Sequence, residues 1–165
     1  MGIGLDPRPS LDRAVAAFSR AIDLDPRYAN ARNNTGIALW RRAVYELRIG
    51  GDPQATLDQA LAALDAAVAL NPGYAYAFAN RGLAARTLAL YRLERGENPL
   101  PAVDRARGDL ERALALNSQI FWAYPELAAS ERAAAATLRA EESGPRAAVV
   151  RELDHVLALN AGGLS

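Results

Sequence analysis

The chain contains no cysteine, and this absence removes several kinds of chemistry at once. Without thiols there is no disulfide, no thiolate nucleophile and no cysteine-based zinc site. Lysine is also absent, because all 19 basic residues are arginine, which excludes a lysine Schiff base and the lysine of a phosphate-binding loop. Histidine occurs once, at His155. The sequence lacks a clustered acid–base constellation, and it predicts no enzymatic activity, no cofactor and no metal site.

An excess of either charge is missing as well, since 19 acidic residues balance the 19 basic ones. Nucleic acids and anionic membranes attract proteins through an excess of positive charge, so neither is an expected partner. There is also no apolar run of about 18 residues that would span a bilayer. The N-terminus lacks the basic and apolar regions of a signal peptide. These absences predict a cytoplasmic location.

An internal repeat is what the sequence does have. The segment "AIDLDPRYANA" (21–31) returns as "AVALNPGYAYA" (67–77), so that Pro26 and Pro72 lie 46 residues apart. A third copy begins at residue 113, with Ser118 in place of the proline. Such a period is typical of stacked supersecondary units. We predict a half unit and three full units in a single domain, 1–165, with these boundaries: 4–26, 27–72, 73–118 and 119–161.

Each unit is predicted to contain two helices. In the first unit, residues 27–50 have apolar side chains at the helical period and no interior proline. The following "GGDP" contains two glycines, an acid and a proline, which also suits a loop that binds phosphate or a metal ion. Gly50 or Gly51 fits a left-handed helix end, Asp52 fits an N-cap, and Pro53 fits a first turn. Because cap chemistry explains every residue, we interpret this stretch as a hinge between helices.

The recurring positions resemble those of tetratricopeptide repeats (TPRs). Gly36 and Gly82 match the glycine of that family's first helix, and Leu64 matches the bulky residue of its second helix. The small second-helix residues recur in the same register, and so does the terminal proline at Pro26 and Pro72, before Ser118 replaces it. The resemblance implies an all-α fold: a right-handed α-solenoid of antiparallel helix pairs, with about seven helices here. It also implies a module that binds other proteins.

The unit departs from the family in its length, because TPR units have about 34 residues. The extra dozen residues fall between the glycine of the first helix and the small residue of the second, which predicts overlong first helices. In this respect the chain resembles long-helix TPR-like arrays of bacterial signalling proteins. Because the half unit lacks its first helix and the C-terminus lacks an obvious polar cap, we expect the chain to be a piece of a longer array, or its ends to be covered by a partner.

The resemblance also implies which face binds. In TPR proteins the first helices line the concave surface, and the amides at the Asn34 and Asn80 positions often bond to a peptide backbone. The glutamate in the third copy departs from that pattern. Basic residues at the Asn33, Trp122 and Glu126 positions would hold the carboxylates of chaperone tails, and they are absent. The ten residues assigned to the binding face are Asn30, Asn34, Ile37, Arg41, Tyr76, Asn80, Leu83, Arg86, Trp122 and Glu126.

The aromatic residues allow two readings. Trp40, Tyr45 and Tyr91 fit packing between long helices better than binding. Tyr76 and Trp122 are better candidates for the groove, although packing remains an alternative for both. The two tyrosines that follow the interhelical turns are expected in the core between repeats; they are Tyr28 and Tyr74.

Two functions from different classes follow. The first is a non-catalytic protein-interaction module that binds a peptide or a partner helix on its concave face. The second is a structural element whose exposed repeat ends join copies, either as a homodimer or as a head-to-tail assembly. The apolar stripe of the half unit, which includes Phe18, favours association through that end. His155 is expected to face outwards at a surface position.

Overall fold

The computed structural model describes residues 6–143, and this part of the chain is entirely helical, without strands. The predicted seventh helix and His155 lie outside the described residues. None of the described helices is both long and apolar enough to cross a bilayer. The six helices are α1 (Arg8–Leu24), α2 (Ala29–Arg48), α3 (Gln54–Leu70), α4 (Ala75–Glu94), α5 (Leu100–Leu116) and α6 (Ala123–Ser143).

The helices form two rows. Each helix contacts the next one along the chain, and in addition α2 contacts α4, and α4 contacts α6. By contrast, α1, α3 and α5 do not contact one another. Because the helices of one row touch and those of the other do not, the stack bends towards the touching row. We call α2, α4 and α6 the inner row, and α1, α3 and α5 the outer row. This is the α-solenoid that the repeats predict.

Helix lengths follow the repeat of the sequence. The outer helices α1, α3 and α5 have 17 residues each and begin 46 residues apart, at positions 8, 54 and 100. The inner helices α2 and α4 have 20 residues each, so the first helices are the longer ones. At 1.5 Å per residue, 20 residues span about 30 Å. The division into units of 46 residues remains a prediction, which this spacing supports.

The "GGDP" stretch is a helix hinge, as predicted. Gly50 has φ +74°, in the left-handed region where glycine is favoured. Its N–H donates to the Leu47 carbonyl at 3.0 Å, and the Gly51 N–H donates to the Glu46 carbonyl at 2.8 Å. This pair of bonds is a Schellman motif, and the same pattern closes α4 at Gly96.

The predicted N-cap is misplaced by one residue. Helix α3 begins at Gln54, so Pro53 takes the cap position and Asp52 lies one residue further out. Asp52 nevertheless satisfies a free donor of the first turn, because its Oδ1 accepts the Gln54 N–H at 2.9 Å. It can do so because an aspartate side chain reaches the backbone two residues ahead of it.

The core forms where inner-row glycines meet outer-row leucines. A Cβ added to Gly36 would lie 2.4 Å from Leu64 Cγ, and one added to Gly82 would lie 2.8 Å from Leu110 Cγ. Both leucines are completely buried. The missing side chains let the inner helices approach the outer ones closely, which explains why glycine and a bulky residue recur together.

The aromatic predictions have mixed outcomes. Tyr91 is buried, and Trp40 and Tyr45 are half-buried, as packing between long helices requires. Tyr74 is half-buried, but Tyr28 is 46% exposed, so its assignment to the core between repeats is wrong. The physical reason is position: Tyr74 follows α3, which has neighbours on both sides, whereas Tyr28 follows α1, which has no buried side chain.

Candidate functional site

Three amides predicted on or beside the binding face join the inner-row helices. The Asn80 Nδ2 atom donates to Asn33 Oδ1 at 3.0 Å, which links α4 to α2. Asn33 is buried, and its own Nδ2 donates to Asn34 Oδ1 at 3.3 Å. These bonds occupy the nitrogen of Asn80 but leave its oxygen available as an acceptor. The amides therefore hold the inner row together while keeping some capacity for a ligand.

An ion pair ties α4 to α6 on the same face. Arg86 Nη1 lies 2.9 Å from Glu126 Oε2, and both side chains are about one-third exposed. The contact is electrostatic, because its geometry does not form a hydrogen bond. Two residues assigned to the binding face thus neutralise each other. Glu126 is not a free acid facing the groove.

A wide opening on the inner row lies between the C-terminal halves of α2 and α4. We call it the extended groove; it has a volume of about 550 Å³. Val44 and Leu90 are each 40% exposed there, beside Trp40, whose indole Nε1 donates to the Thr87 hydroxyl at 2.9 Å. Nine residues line the groove: Trp40, Val44, Leu47, Arg48, Arg86, Thr87, Leu90, Tyr91 and Glu94.

Only Arg86 of the ten predicted site residues lines the extended groove. The remaining assignments follow the family's shorter helix, which does not reach this far. The sequence did contain a signal for this groove, namely the extra length of the first helices. Val44 and Leu90 lie in that extra length and have no counterpart in a 34-residue unit. A smaller apolar cavity of about 40 Å³, between α4, α5 and α6, adjoins the groove at Arg86 and Leu90.

Exposed aromatic side chains collect at the turn before α6. Trp122 is 40% exposed, and its neighbour Phe121 is 73% exposed. Tyr124, in the first turn of α6, is also exposed, and so is Tyr76 in the first turn of α4. The sequence reasoning selected Tyr76 and Trp122 but missed the other two, although aromatic residues so close in sequence are a visible signal.

Three predicted residues of α2 face α1 instead of α4. Asn34, Ile37 and Arg41 line a groove of about 260 Å³ at the N-terminal end of the stack, which we call the end groove. Leu11, Ala14 and Phe18 of α1 form its other wall, and Ala38 of α2 completes it. Elsewhere on the predicted face, Asn30 is exposed and Leu83 is half-buried. Of the ten predicted site residues, three line the end groove, one lines the extended groove, and six line neither.

Within residues 6–143, no three histidine, cysteine, aspartate or glutamate side chains are grouped so as to hold a metal ion. One cluster of charged residues there joins three helices. Arg81 of α4 bonds to Asp65 of α3 at 2.7 Å and to the buried Asp109 of α5 at 2.5 Å, while Arg105 also contacts Asp65. A buried carboxylate with two bonds to one guanidinium stabilises packing. This cluster has an evident structural role.

Paired helices, glycine–leucine contacts and a curved inner row define the fold as a TPR-like helical repeat. No family model matches the chain, and no curated protein sequence matches it. Solved structures do. The first TPR of Spaghetti (RPAP3), bound to the HSP90 peptide SRMEEVD, is 25% identical and has a TM-score of 0.57. The match covers 76% of this chain and 83% of that chain.

Two further structures are similar. The first TPR domain of the human RPAP3 protein, solved by NMR, is 25% identical, with a TM-score of 0.59 over 84% of this chain and 87% of that one. The crystal structure of MamA is 19% identical, with a TM-score of 0.36 over 98% of this chain and 96% of that chain. The two RPAP3 structures support the TPR-like fold.

Proposed function

We propose that this protein is a non-catalytic interaction module that binds a peptide or a partner helix on its inner row. The observation that carries the proposal is the extended groove, where Val44 and Leu90 expose apolar surface beside Trp40. Water contact with apolar side chains is unfavourable, and a ligand that covers them gains free energy. The peptide-bound RPAP3 domain, which shares the fold, supports the same role.

The N-terminal and C-terminal halves of the inner-row helices would contribute differently to binding. In the extended groove, apolar side chains of the ligand would cover Val44 and Leu90, while Arg48 and Glu94 at its edge would set orientation. In the N-terminal half of α4, the free amide oxygen of Asn80 would accept a hydrogen bond from a backbone N–H of the ligand. Apolar anchors supply affinity and polar contacts supply register, as in other helix and peptide complexes.

We expect the ligand to differ from the acidic peptide of the RPAP3 complex. SRMEEVD ends in carboxylates, and the positions that would hold such groups are Asn33, Trp122 and Glu126 here. None is basic, and Glu126 is itself an acid paired with Arg86. We therefore predict no binding of SRMEEVD at concentrations up to about 1 mM, measured by isothermal titration calorimetry.

A displayed library of random peptides, selected on the immobilised protein, tests the proposal directly. Selected peptides should bind the purified protein, and Leu90→Glu should weaken them at least about tenfold, which corresponds to about 1.4 kcal/mol. Leu90 is exposed, so the variant should fold with an unchanged circular dichroism spectrum. The matched control is Ala62→Glu, which puts the same charge on an exposed position of α3 in the outer row.

Two results would contradict the proposal. One is a library that yields no peptide specific for this protein. The other is a set of peptides whose affinity falls with Ala62→Glu but not with Leu90→Glu, which would place binding on the outer row. Joining of copies through repeat ends remains a separate prediction, and sedimentation of the protein alone would measure it.

A further inference from the structure

The end groove has two counterparts within the same chain that are filled. In α3, the residues Leu57, Ala60 and Leu64 are completely buried, because α2 lies against them. The residues 46 positions earlier, Leu11, Ala14 and Phe18, form the wall of the end groove and are only half-buried. This wall of α1 therefore corresponds to the apolar surface of α3 that α2 covers. On α1 no described helix covers the surface in that way.

The second counterpart shows what such a helix needs. On α5, Ala106 and Leu110 are completely buried under α4, and the residue of α4 that lies on Leu110 is Gly82. On α3 the residue that lies on Leu64 is Gly36. In both cases a residue without a side chain faces the bulky outer-row residue. A helix that fits the end groove therefore requires a small residue opposite Phe18.

Polar groups at the edge of the end groove add two further requirements. Asn34 occupies the place that Asn80 has beside α2, and Asn80 donates to Asn33 at 3.0 Å. The Asn34 nitrogen donates no hydrogen bond within the described residues, so it can serve an acceptor on an incoming helix in the same way. That acceptor would lie three residues before the small residue, as Asn33 precedes Gly36.

Arg41 makes the end groove different from its filled counterparts. It occupies the place of Thr87, whose hydroxyl accepts the Trp40 indole N–H. An arginine has donors only, so it cannot accept that bond. Arg41 is exposed and forms no ion pair with the residues that the structure describes. Its complement on an incoming helix is an acid, at the position that Trp40 has on α2.

We propose that the end groove binds an amphipathic α-helix of another protein, with an acceptor, a small residue and an acid on one face. The three residues have the spacing of Asn33, Gly36 and Trp40, which is i, i+3 and i+7, so one face of a helix presents all of them. This helix would lie against α1 and α2 as α2 lies against α3 and α4. The site is separate from the extended groove.

Helices α2 and α4 of a second copy are disfavoured as the donor of this helix. The small-residue faces of α2 and α4 are already covered by Leu64 and Leu110 of the same chain. Donating either helix would expose leucines that are completely buried. A helix from a different protein carries no such penalty.

The probe is a synthetic fluorescent peptide with the sequence of residues 27–50 and glutamate at the Trp40 position. Anisotropy should show saturable binding to the protein, with a Kd in the micromolar range of about 10–100 μM. The same peptide with leucine at the Gly36 position should bind at least about tenfold more weakly, because its side chain meets Phe18. The affinity of the unmodified peptide, which has tryptophan at this position, should lie between those of the other two peptides.

Variants of the protein assign the binding to the end groove. Phe18→Ser and, independently, Arg41→Glu should each weaken the peptide at least about tenfold. Arginine at the Trp40 position of the peptide should restore affinity for Arg41→Glu, because the charges are then exchanged. Ala17→Ser, on the exposed side of α1, and Leu90→Glu, in the extended groove, should leave the affinity unchanged. The last control separates this inference from the proposed function.

Three outcomes would overturn the inference. The first is no binding of the glutamate peptide up to about 1 mM. The second is binding that neither Phe18→Ser nor Arg41→Glu reduces. The third is a dimer of the peptide-free protein in sedimentation that Phe18→Ser converts to monomer, because a second copy would then fill the end groove.

Discussion

At the scale of single residues, one contact repeats and sets the spacing of the two rows. Gly36 lies on Leu64, and Gly82 lies on Leu110, each pair so close that a Cβ on the glycine would overlap the leucine. An alanine in the middle of a helix normally stabilises it by about 1 kcal/mol relative to glycine. Here the overlap outweighs that preference, because the new Cβ would meet the branch point of a completely buried leucine and a backbone carbonyl oxygen.

The first prediction tests this contact with a double-mutant cycle. Gly36→Ala alone should destabilise the protein by about 1–3 kcal/mol through overpacking, and Leu64→Ala alone by about 2–5 kcal/mol through a cavity. In the Leu64→Ala background the added methyl no longer meets the leucine, so Gly36→Ala should destabilise much less; the Ala60 carbonyl oxygen still lies 3.1 Å from the new Cβ. Urea unfolding of the four proteins measures the cycle. Additive effects of the two changes would show that the residues do not act on each other.

Asp52 is a second residue whose contacts make a measurable prediction. The Gln54 backbone N–H, and after it the Tyr91 hydroxyl, hold the pKa of Asp52 below its ordinary value of 3.8. A carboxyl with a lowered folded-state pKa stabilises the fold above its unfolded pKa, and this stabilisation is lost as the pH falls through the folded pKa. Asp52→Ala should therefore lower the melting temperature at pH 7 but lower it less below pH 3.8.

The matched control for Asp52→Ala is Asp23→Ala, since Asp23 is exposed on α1 and accepts no hydrogen bond within the described residues. Its effect on the melting temperature should be small at both pH values. If Asp52→Ala lowers the melting temperature equally at pH 7 and at pH 3, the ionised carboxylate does not stabilise the hinge.

At the scale of helices, the hinges determine where each element ends. Gly50 and Gly96 end α2 and α4 in the same left-handed conformation, with φ of 74° and 73°. Nothing lies within 4 Å of a Cβ built on either glycine. A side chain at these positions would therefore meet no neighbour, and the only penalty would be the backbone conformation itself.

The second set of glycine substitutions should consequently have opposite signs. Gly50→Ala and Gly96→Ala should each destabilise by about 1–2 kcal/mol, because a left-handed residue with a Cβ is strained. Gly108→Ala, in the exposed interior of α5 with open space around it, should stabilise by about 0.5–1 kcal/mol. Thermal unfolding distinguishes the two groups. A destabilising Gly108→Ala would mean that side-chain space, not backbone conformation, governs these positions.

The sequence predicted the helices well because their ends and faces are local properties. Cap residues such as Gly50 act within a few positions of the chain, and the repeated register doubles the evidence for each assignment. The binding face was harder to predict, because it depends on which neighbour each side of α2 meets. Asn34 and Arg41 point to α1, while Val44 joins Leu90 across α2 and α4, and helical periodicity alone does not distinguish these neighbours.

At the scale of the whole molecule, burial is graded from one end of the stack. The outer helix α1 has no buried residue, although its apolar residues have the register of those in α3 and α5. The neighbouring α3 lies between α2 and α4 and buries five residues. Side chains at equivalent positions of the repeat therefore contribute different amounts to the free energy of unfolding, depending on how many helices surround them.

The last prediction compares two such positions. Phe18 and Leu64 are 46 residues apart in the same register, but only Leu64 is covered by an inner-row helix. Leu64→Ala should cost about 2–5 kcal/mol, as for a buried leucine. Phe18→Ala should cost less than half of that, although it removes a larger side chain. Phe18 lines an open groove, so its removal does not leave an enclosed cavity. Comparable losses in urea unfolding would indicate that another part of the chain covers Phe18.

The neighbour-only contacts of the helices have a consequence for how the chain folds. Each described helix touches only helices one or two places away along the sequence, so no contact has to close a loop across the whole described part. Closing short loops loses little entropy, and chains with local contacts fold fast. Folding can start at α3, α4 and α5, which Arg81 and its aspartates join, and then spread outwards. Amide exchange in α1 would accordingly report the opening of one end, long before the centre opens.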